Sequence, residues 1–136
     1  MSKPTAIDHQ LGDFVWLLAA SMRSGYRLTQ VLESVAKQQI DPISESCAAA
    51  LRDFERGVEI SQVLANWRNS ADSIYLSDFV GALETHQQQG RNLVFMLFPV
   101  SERILSEVES DGKLHGAIRD YAAESGAPLP DHVINC

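Results

Sequence analysis

Hydrophobic residues recur along this chain at helical spacing, in six successive segments. Phe14, Leu17, Leu18 and Met22 follow an i, i+3, i+4, i+8 order, which places them on one face of a helix. Similar runs occupy 28–35, 43–54, 60–67, 76–83 and 93–104. No stretch of four or more residues alternates cleanly between apolar and polar, as a half-buried strand would. The pattern predicts an all-α chain.

Helix-breaking and helix-capping residues separate these segments. Asp41-Pro42 divides the second helix from the third, because proline disfavours helix in the residue before it. The polar cluster 69–73 ends the fourth helix, and Asp72 or Ser73 can cap the fifth. Asp111-Gly112 ends the sixth segment. Beyond it, 115–123 suits one more helix, and 126–136, with two prolines and little periodicity, is expected to be mobile.

Pro99 lies inside the sixth segment. An interior proline removes a backbone donor and costs about 3 kcal/mol or more. The sequence therefore predicts a kink there, or a break near Phe98 with a new helix that begins at Pro99.

A glycine-centred unit occurs three times. Gly25, Gly57 and Gly90 are 32 and 33 residues apart, and each is followed by the same gapless pattern, Gly-x-x-[Leu/Ile]-x-x-[Val/Met]-Leu. The period is near that of tetratricopeptide repeats, but the marks of those repeats are missing at the expected offsets. A solenoid is therefore less favoured than a compact antiparallel six-helix bundle with glycine-capped helix corners.

The physical reason for the unit is a tight helix–helix corner. A glycine just past a helix end adopts the left-handed conformation that reverses the chain. Arg23, Arg56 and Arg91, at the same corners, suit the negative end of a helix dipole. The third position of each unit should be the next N-cap, a role that Asn92 fits but that Arg27 and Glu59 do not. Any antiparallel helical bundle needs such corners, so the repeated unit can also be explained by folding alone, without a function.

The charge distribution argues against one class of function, nucleic-acid binding. The net charge is −7, and residues 102–136 hold seven acids and three bases. A nucleic-acid-binding domain would instead show a basic face or stripe. There is neither a signal peptide nor an apolar run of about 20 residues that could span a membrane. With only Cys47 and Cys136, no disulfide framework is expected.

Motifs for catalysis and cofactor binding are absent, so we expect no enzyme activity, no cofactor and no metal. The chain lacks a phosphate-binding G-x-x-x-x-G-K loop, and Ser34 with Lys37 forms an S-x-x-K match without its partner motifs. His132 and Cys136 could hold a stray transition metal, although a mobile tail is the simpler interpretation. Trp67 is expected in the core, whereas an exposed Trp67 beside Arg68 would suit a partner interface.

Several of these segments resemble one known family. The residues that carry the likeness are 18–33 around Gly25, Asp41-Pro-Ile-Ser44, 54–64 around Gly57, Asp78-Phe-Val-Gly-Ala-Leu83 and Gln89-Gly-Arg-Asn-Leu93. In order and spacing, they resemble the cytoplasmic domain of the type II secretion system F family, with the greatest similarity to the Tad (Flp) pilus platform proteins. Three features depart from the family pattern: Gln89 in place of a first glycine, Pro99, and the lack of membrane-spanning helices.

The resemblance implies a non-catalytic scaffold on the cytoplasmic side of a prokaryotic inner membrane. Its partners would be a secretion or pilus-assembly ATPase and other platform subunits, with a homodimer allowed. We place a flexible N-terminus at 1–10, the six-helix domain at 11–108 and an acidic, partly disordered extension at 109–136. Partner-facing candidates are Arg23, Arg27, Arg56, Trp67 and Arg91. The lack of membrane helices leaves an alternative open, a free-standing soluble adaptor unrelated to membranes.

Overall fold

The all-α prediction is confirmed. A computed structural model describes residues 3–134, and within that range it contains eight helices and no strand. They are α1 (Asp8–Arg23), α2 (Leu28–Lys37), α3 (Ile43–Glu55), α4 (Ile60–Arg68), α5 (Ile74–Gln89), α6 (Leu93–Glu107), α7 (His115–Ser125) and α8 (Asp131–Ile134). None of these helices is long and apolar enough to cross a membrane.

Helix α1 is the central element of the fold. Twelve of its sixteen residues are buried, so it is covered on nearly all sides and not along a single stripe. It packs most extensively against α6 and also contacts α2, α3, α5 and α7. Helix α1 therefore connects most of the other helices into one core.

Gly12 allows α6 to lie close to α1. A Cβ atom built on Gly12 would lie 2.6 Å from Cδ2 and 2.7 Å from Cγ of Leu105, distances that side chains do not tolerate. At the same level, the Ser101 hydroxyl donates to the Gly12 carbonyl oxygen at 2.8 Å. The absence of a side chain on Gly12 thus leaves room for the Leu105 side chain of α6 against α1.

Aromatic side chains fill the core on the α4–α5 side of α1. The Phe79 ring meets Phe14 and Trp67 edge to face, at centroid distances of 5.5 and 5.2 Å. Trp67 is only 3% exposed, and its indole N–H donates to the Ser46 hydroxyl at 2.9 Å. The prediction of an exposed, partner-facing Trp67 is therefore wrong, because its ring fills the core and its indole N–H is already hydrogen-bonded.

Cys47, in α3, is also fully buried, and this burial raises the pKa of its thiol.

Helix α6 continues through Pro99 without a break, so the predicted break near Phe98 is wrong. The residues on both sides of the proline are anchored by packing: Leu97 and Ser101 are fully buried against the core. We attribute the continuity to this packing, which offsets the cost of the missing backbone hydrogen bond.

The capping residue of α5 agrees with the sequence. Ser73 is the N-cap, and its hydroxyl accepts the Leu76 N–H at 3.0 Å. The same hydroxyl donates to the Asp8 carboxylate at the start of α1, which brings the first turns of α1 and α5 together.

The C-terminal segment lies against the body of the domain. The helix predicted at 115–123 is present as α7. Within 126–134, where mobility was expected, α8 forms and Val133 is fully buried. At the other terminus Ile7 is buried and α1 begins at Asp8. The predicted boundaries at 11 and 108 stay a prediction.

Two glycine substitutions test the α1–α6 contact. We expect Gly12→Ala to destabilise the domain by about 1 kcal/mol, because the new methyl group forces Leu105 to move and this overpacking outweighs the gain in helix propensity. Gly116→Ala is the matched control: it lies in α7, a Cβ there meets nothing within 4 Å, and it should stabilise by about 0.4–1 kcal/mol. Urea unfolding measures both effects. If Gly12→Ala stabilised the domain as much as Gly116→Ala does, the close contact between Gly12 and Leu105 would be contradicted.

Candidate partner-binding surface

The three glycine corners lie at the same end of the bundle. Helices α1, α3 and α5 start together at the opposite end, since Gln10 bonds the Ile43 N–H (2.9 Å) and Asp8 contacts Ser73. Helix α4 runs back along α3, because Trp67 near its end meets Ser46 near the start of α3. Helix α6 likewise runs against α1, with Ser101 beside Gly12. The α1–α2, α3–α4 and α5–α6 connections are therefore neighbours in space.

All three corner glycines have backbone conformations that disfavour other residues. The φ angles are +102° at Gly25, +76° at Gly57 and +67° at Gly90, and a Cβ at any of them would meet no atom within 4 Å. Gly90 is the C-cap of α5, and its N–H donates to the His86 carbonyl at 2.9 Å. Conformation and not crowding is the reason for glycine at these positions.

The N-caps that follow the corners correct one prediction from the sequence. Asn92 caps α6 as expected, with its side-chain oxygen accepting the Phe95 N–H at 3.3 Å. Glu59, which was judged unsuitable, also caps: its carboxylate accepts the Ser61 N–H at 3.1 Å. The Ser61 hydroxyl donates to the same carboxylate, and these hydrogen bonds lower the pKa of Glu59. Ser61 is what makes the longer glutamate side chain work as a cap.

Corners one and three are joined by a cation–π contact. The Arg23 guanidinium lies over the Phe98 ring, 5.1 Å from its centroid, and so links the end of α1 to α6. Near it, Phe95 is 78% exposed and Tyr26 is 45% exposed. These two rings add apolar surface to the corner end of the domain.

Corners one and two share a shallow pocket. Arg27 and Gln30 line it from the α1–α2 side, and Phe54 and Glu55 line it from the end of α3. Glu33 also lines this pocket, and its carboxylate forms an ion pair with Lys37, with Oε1 and Nζ 2.9 Å apart. The corners therefore form one continuous surface, which we call the corner surface and define by its exposed basic and aromatic residues: Arg23, Tyr26, Arg27, Arg56, Arg91 and Phe95.

The corner surface is basic in an acidic protein. The segments 20–31, 52–63 and 86–97 contain five arginines and three acidic residues, whereas the whole chain has a net charge of −7. Arg68 and Arg103, away from the corners, form ion pairs with Glu84, Asp78 and Glu107. Within residues 3–134, by contrast, none of Arg23, Arg27, Arg56 and Arg91 forms an ion pair. Four arginine charges are thus unpaired at one end of the domain.

The structure thus brings together four of the five partner-facing candidates and separates Trp67 from them. Tyr26 and Phe95 were not among the partner-facing candidates predicted from the sequence. Phe95 could have been recognised, because it is an apolar residue between the core positions Leu93 and Leu97 of α6. Of the suggested His132–Cys136 pair, Cys136 lies outside the described residues. His132 instead meets Asp13, with Nε2 and Oδ1 2.5 Å apart.

These features define a class: an all-helical domain with a basic surface that carries exposed aromatic residues and is made by repeated helix corners. The family model described as "Type II secretion system (T2SS), protein F" matches residues 14–126. The chain therefore belongs to the type II secretion system protein F family, a family of non-enzymatic domains in inner-membrane secretion platforms. Neither a search of curated proteins nor a search of solved structures found a match.

Substitutions at Gly90 test the corner geometry. We expect Gly90→Ala to destabilise the domain by about 1–2 kcal/mol, because a Cβ disfavours the left-handed conformation. Gly90→Asn should cost less, since asparagine tolerates that conformation better than other side chains. Equal stability of the alanine variant and the unaltered protein in urea unfolding would show that Gly90 does not need a positive φ.

Proposed function

We propose that this domain is a non-catalytic scaffold of a type II secretion or pilus-assembly platform and that it docks the assembly ATPase through the corner surface. The family supports the platform role. The specific likeness of the corner segments to Tad pilus platform proteins supports a pilus machine, on the cytoplasmic side of a prokaryotic inner membrane.

One observation carries the docking proposal: within residues 3–134, four exposed arginines that form no ion pair lie with exposed aromatic side chains at one end of a domain whose net charge is negative. Arginine and aromatic residues are the types that contribute most to protein–protein interfaces. Their charge selects an acidic patch on the partner, and it should raise the association rate. Gly25, Gly57 and Gly90 have a structural role, since they position this surface and do not themselves contact a partner.

Charge reversal tests the docking proposal. We expect the double variant Arg56→Glu/Arg91→Glu to bind the purified ATPase of the same secretion system roughly tenfold more weakly, or worse, by calorimetry, because it places like charges against the acidic patch. Binding of the unaltered domain should also weaken as salt concentration rises.

The double variant Lys3→Glu/Lys113→Glu is the matched control, because it changes the net charge by the same amount and both lysines are exposed and outside the corner surface. It should bind the ATPase like the unaltered domain. Equal loss in both variants would mean that net charge and not the corner surface governs binding, and an unaltered domain that does not bind would overturn the docking proposal.

A further inference from the structure

A buried carboxylate lies between two imidazole rings where α1, α7 and α8 meet. Asp13 Oδ1 is 2.5 Å from Nε2 of His132, and Asp13 Oδ2 is 3.2 Å from Nε2 of His115. The two rings lie edge to face, 5.6 Å between centroids. The Ser110 hydroxyl donates to Asp13 Oδ2 and lies 3.4 Å from Nε2 of His115. Four potential ligand groups thus converge on one point.

This site places polar and charged side chains in an interior that is mostly apolar. The side chains of Asp13 and His115 are 1% and 6% exposed, and His132 is 29% exposed. A buried carboxylate is costly unless charge or hydrogen bonds compensate it. The buried residues Leu11 and Phe14 on either side are apolar, whereas the buried position 13 is an aspartate that two histidines contact.

We propose that Asp13, His115 and His132 bind a zinc ion. One oxygen or nitrogen atom from each side chain lies within 4.8 Å of the others, close enough to share one ion. Two imidazoles and one carboxylate are a ligand set that suits Zn²⁺, with the fourth position filled by water or by Ser110. Calcium and magnesium, which prefer all-oxygen ligands, do not fit this set.

The geometry needs one adjustment to hold the ion. Ligand atoms about 2.0–2.1 Å from a tetrahedral zinc are about 3.3 Å from each other. His115 and Asp13 already have this separation, at 3.2 Å, whereas His132 must move outward by about 0.8 Å. His132 belongs to the four-residue helix α8 and is the most exposed of the three, so it is the ligand with most room to move. Each Nε2 then faces the ion with its lone pair, and the neutral ring carries its proton on Nδ1.

An entry route and a structural role follow from the location. An open pocket reaches both histidines beside Leu105, Ser110 and Gly112. A bound ion would tie the C-terminal segment to the central helix, 119 residues away along the chain from Asp13 to His132. The site lies on the part of α1 remote from the corner surface, so it does not depend on the docking proposal.

Zinc titration of the full chain, after dialysis against a chelator, tests the site. We expect one zinc equivalent per chain and a higher melting temperature with zinc, because the ion binds the folded state. His132→Gln should weaken zinc binding about 10- to 100-fold, and Asp13→Asn should do the same if it folds. His132→Gln keeps the test valid if Asp13→Asn does not fold. An excess of magnesium should leave zinc binding unchanged.

The controls separate this site from other zinc ligands. His86→Gln removes a histidine whose Nδ1 lies 2.7 Å from the Arg91 carbonyl oxygen, at the corner end, and should bind zinc like the unaltered chain. Cys136→Ser should also keep full affinity. The assignment is overturned if zinc does not bind stoichiometrically, if His132→Gln and His86→Gln bind equally, or if Cys136→Ser abolishes binding; in the first case Asp13 is held by hydrogen bonds alone.

Discussion

The close contact between α1 and α6 is the constraint on which the rest of this domain depends. The Leu105 side chain of α6 occupies the space that Gly12 leaves open, and the Ser101 hydroxyl donates to the Gly12 carbonyl oxygen. Toward one end, the same pair of helices aligns Arg23 with Phe98. Toward the other end, the Asp111 N–H reaches the His9 carbonyl at 3.0 Å, which fixes the chain that leads to His115.

The two ends of the bundle have different chemistry. At one end, buried polar side chains of α1 bond the neighbouring elements: Gln10 joins Ile43, Asp41 and Asp111, and Asp8 joins Ser73. These contacts use the buried polar groups of α1 within the fold. At the other end, the arginines of the corner surface make no ion pairs within 3–134, and aromatic rings are exposed. This division suits the proposed docking role, because a fixed interior keeps the corner surface in a constant shape.

The fold was predictable where local rules decide it. Helical periodicity identified all the long helices, Ser73 was recognised as a cap, and the positive φ angles at Gly25, Gly57 and Gly90 agree with the expected corners. Local rules failed at two positions for different reasons. Pro99 remains within α6 because tertiary packing holds its neighbours, whereas Glu59 caps α4 through a local contact with Ser61 that cap preferences alone do not predict.

The site residues show the same limit. The arginines could be predicted as partner-facing candidates because they recur beside the repeated glycines. The cluster of Asp13, His115 and His132 was not, since its members are 102 and 17 residues apart and no short motif joins them. The polar residues of α1 gave no sign that this helix is covered on nearly all sides, because burial of Asp13 and Gln10 depends on partners from distant segments.

Hydrogen–deuterium exchange of the domain with and without the assembly ATPase of the same secretion system shows whether the corner surface is the docking site. We expect the complex to protect the backbone amides near Arg23–Arg27, Arg56 and Arg91–Phe95. Amides at the starts of α1, α3 and α5 should keep their exchange rates. Protection confined to those helix starts or to α7 and α8, with no change at the three corners, would contradict docking through the corner surface.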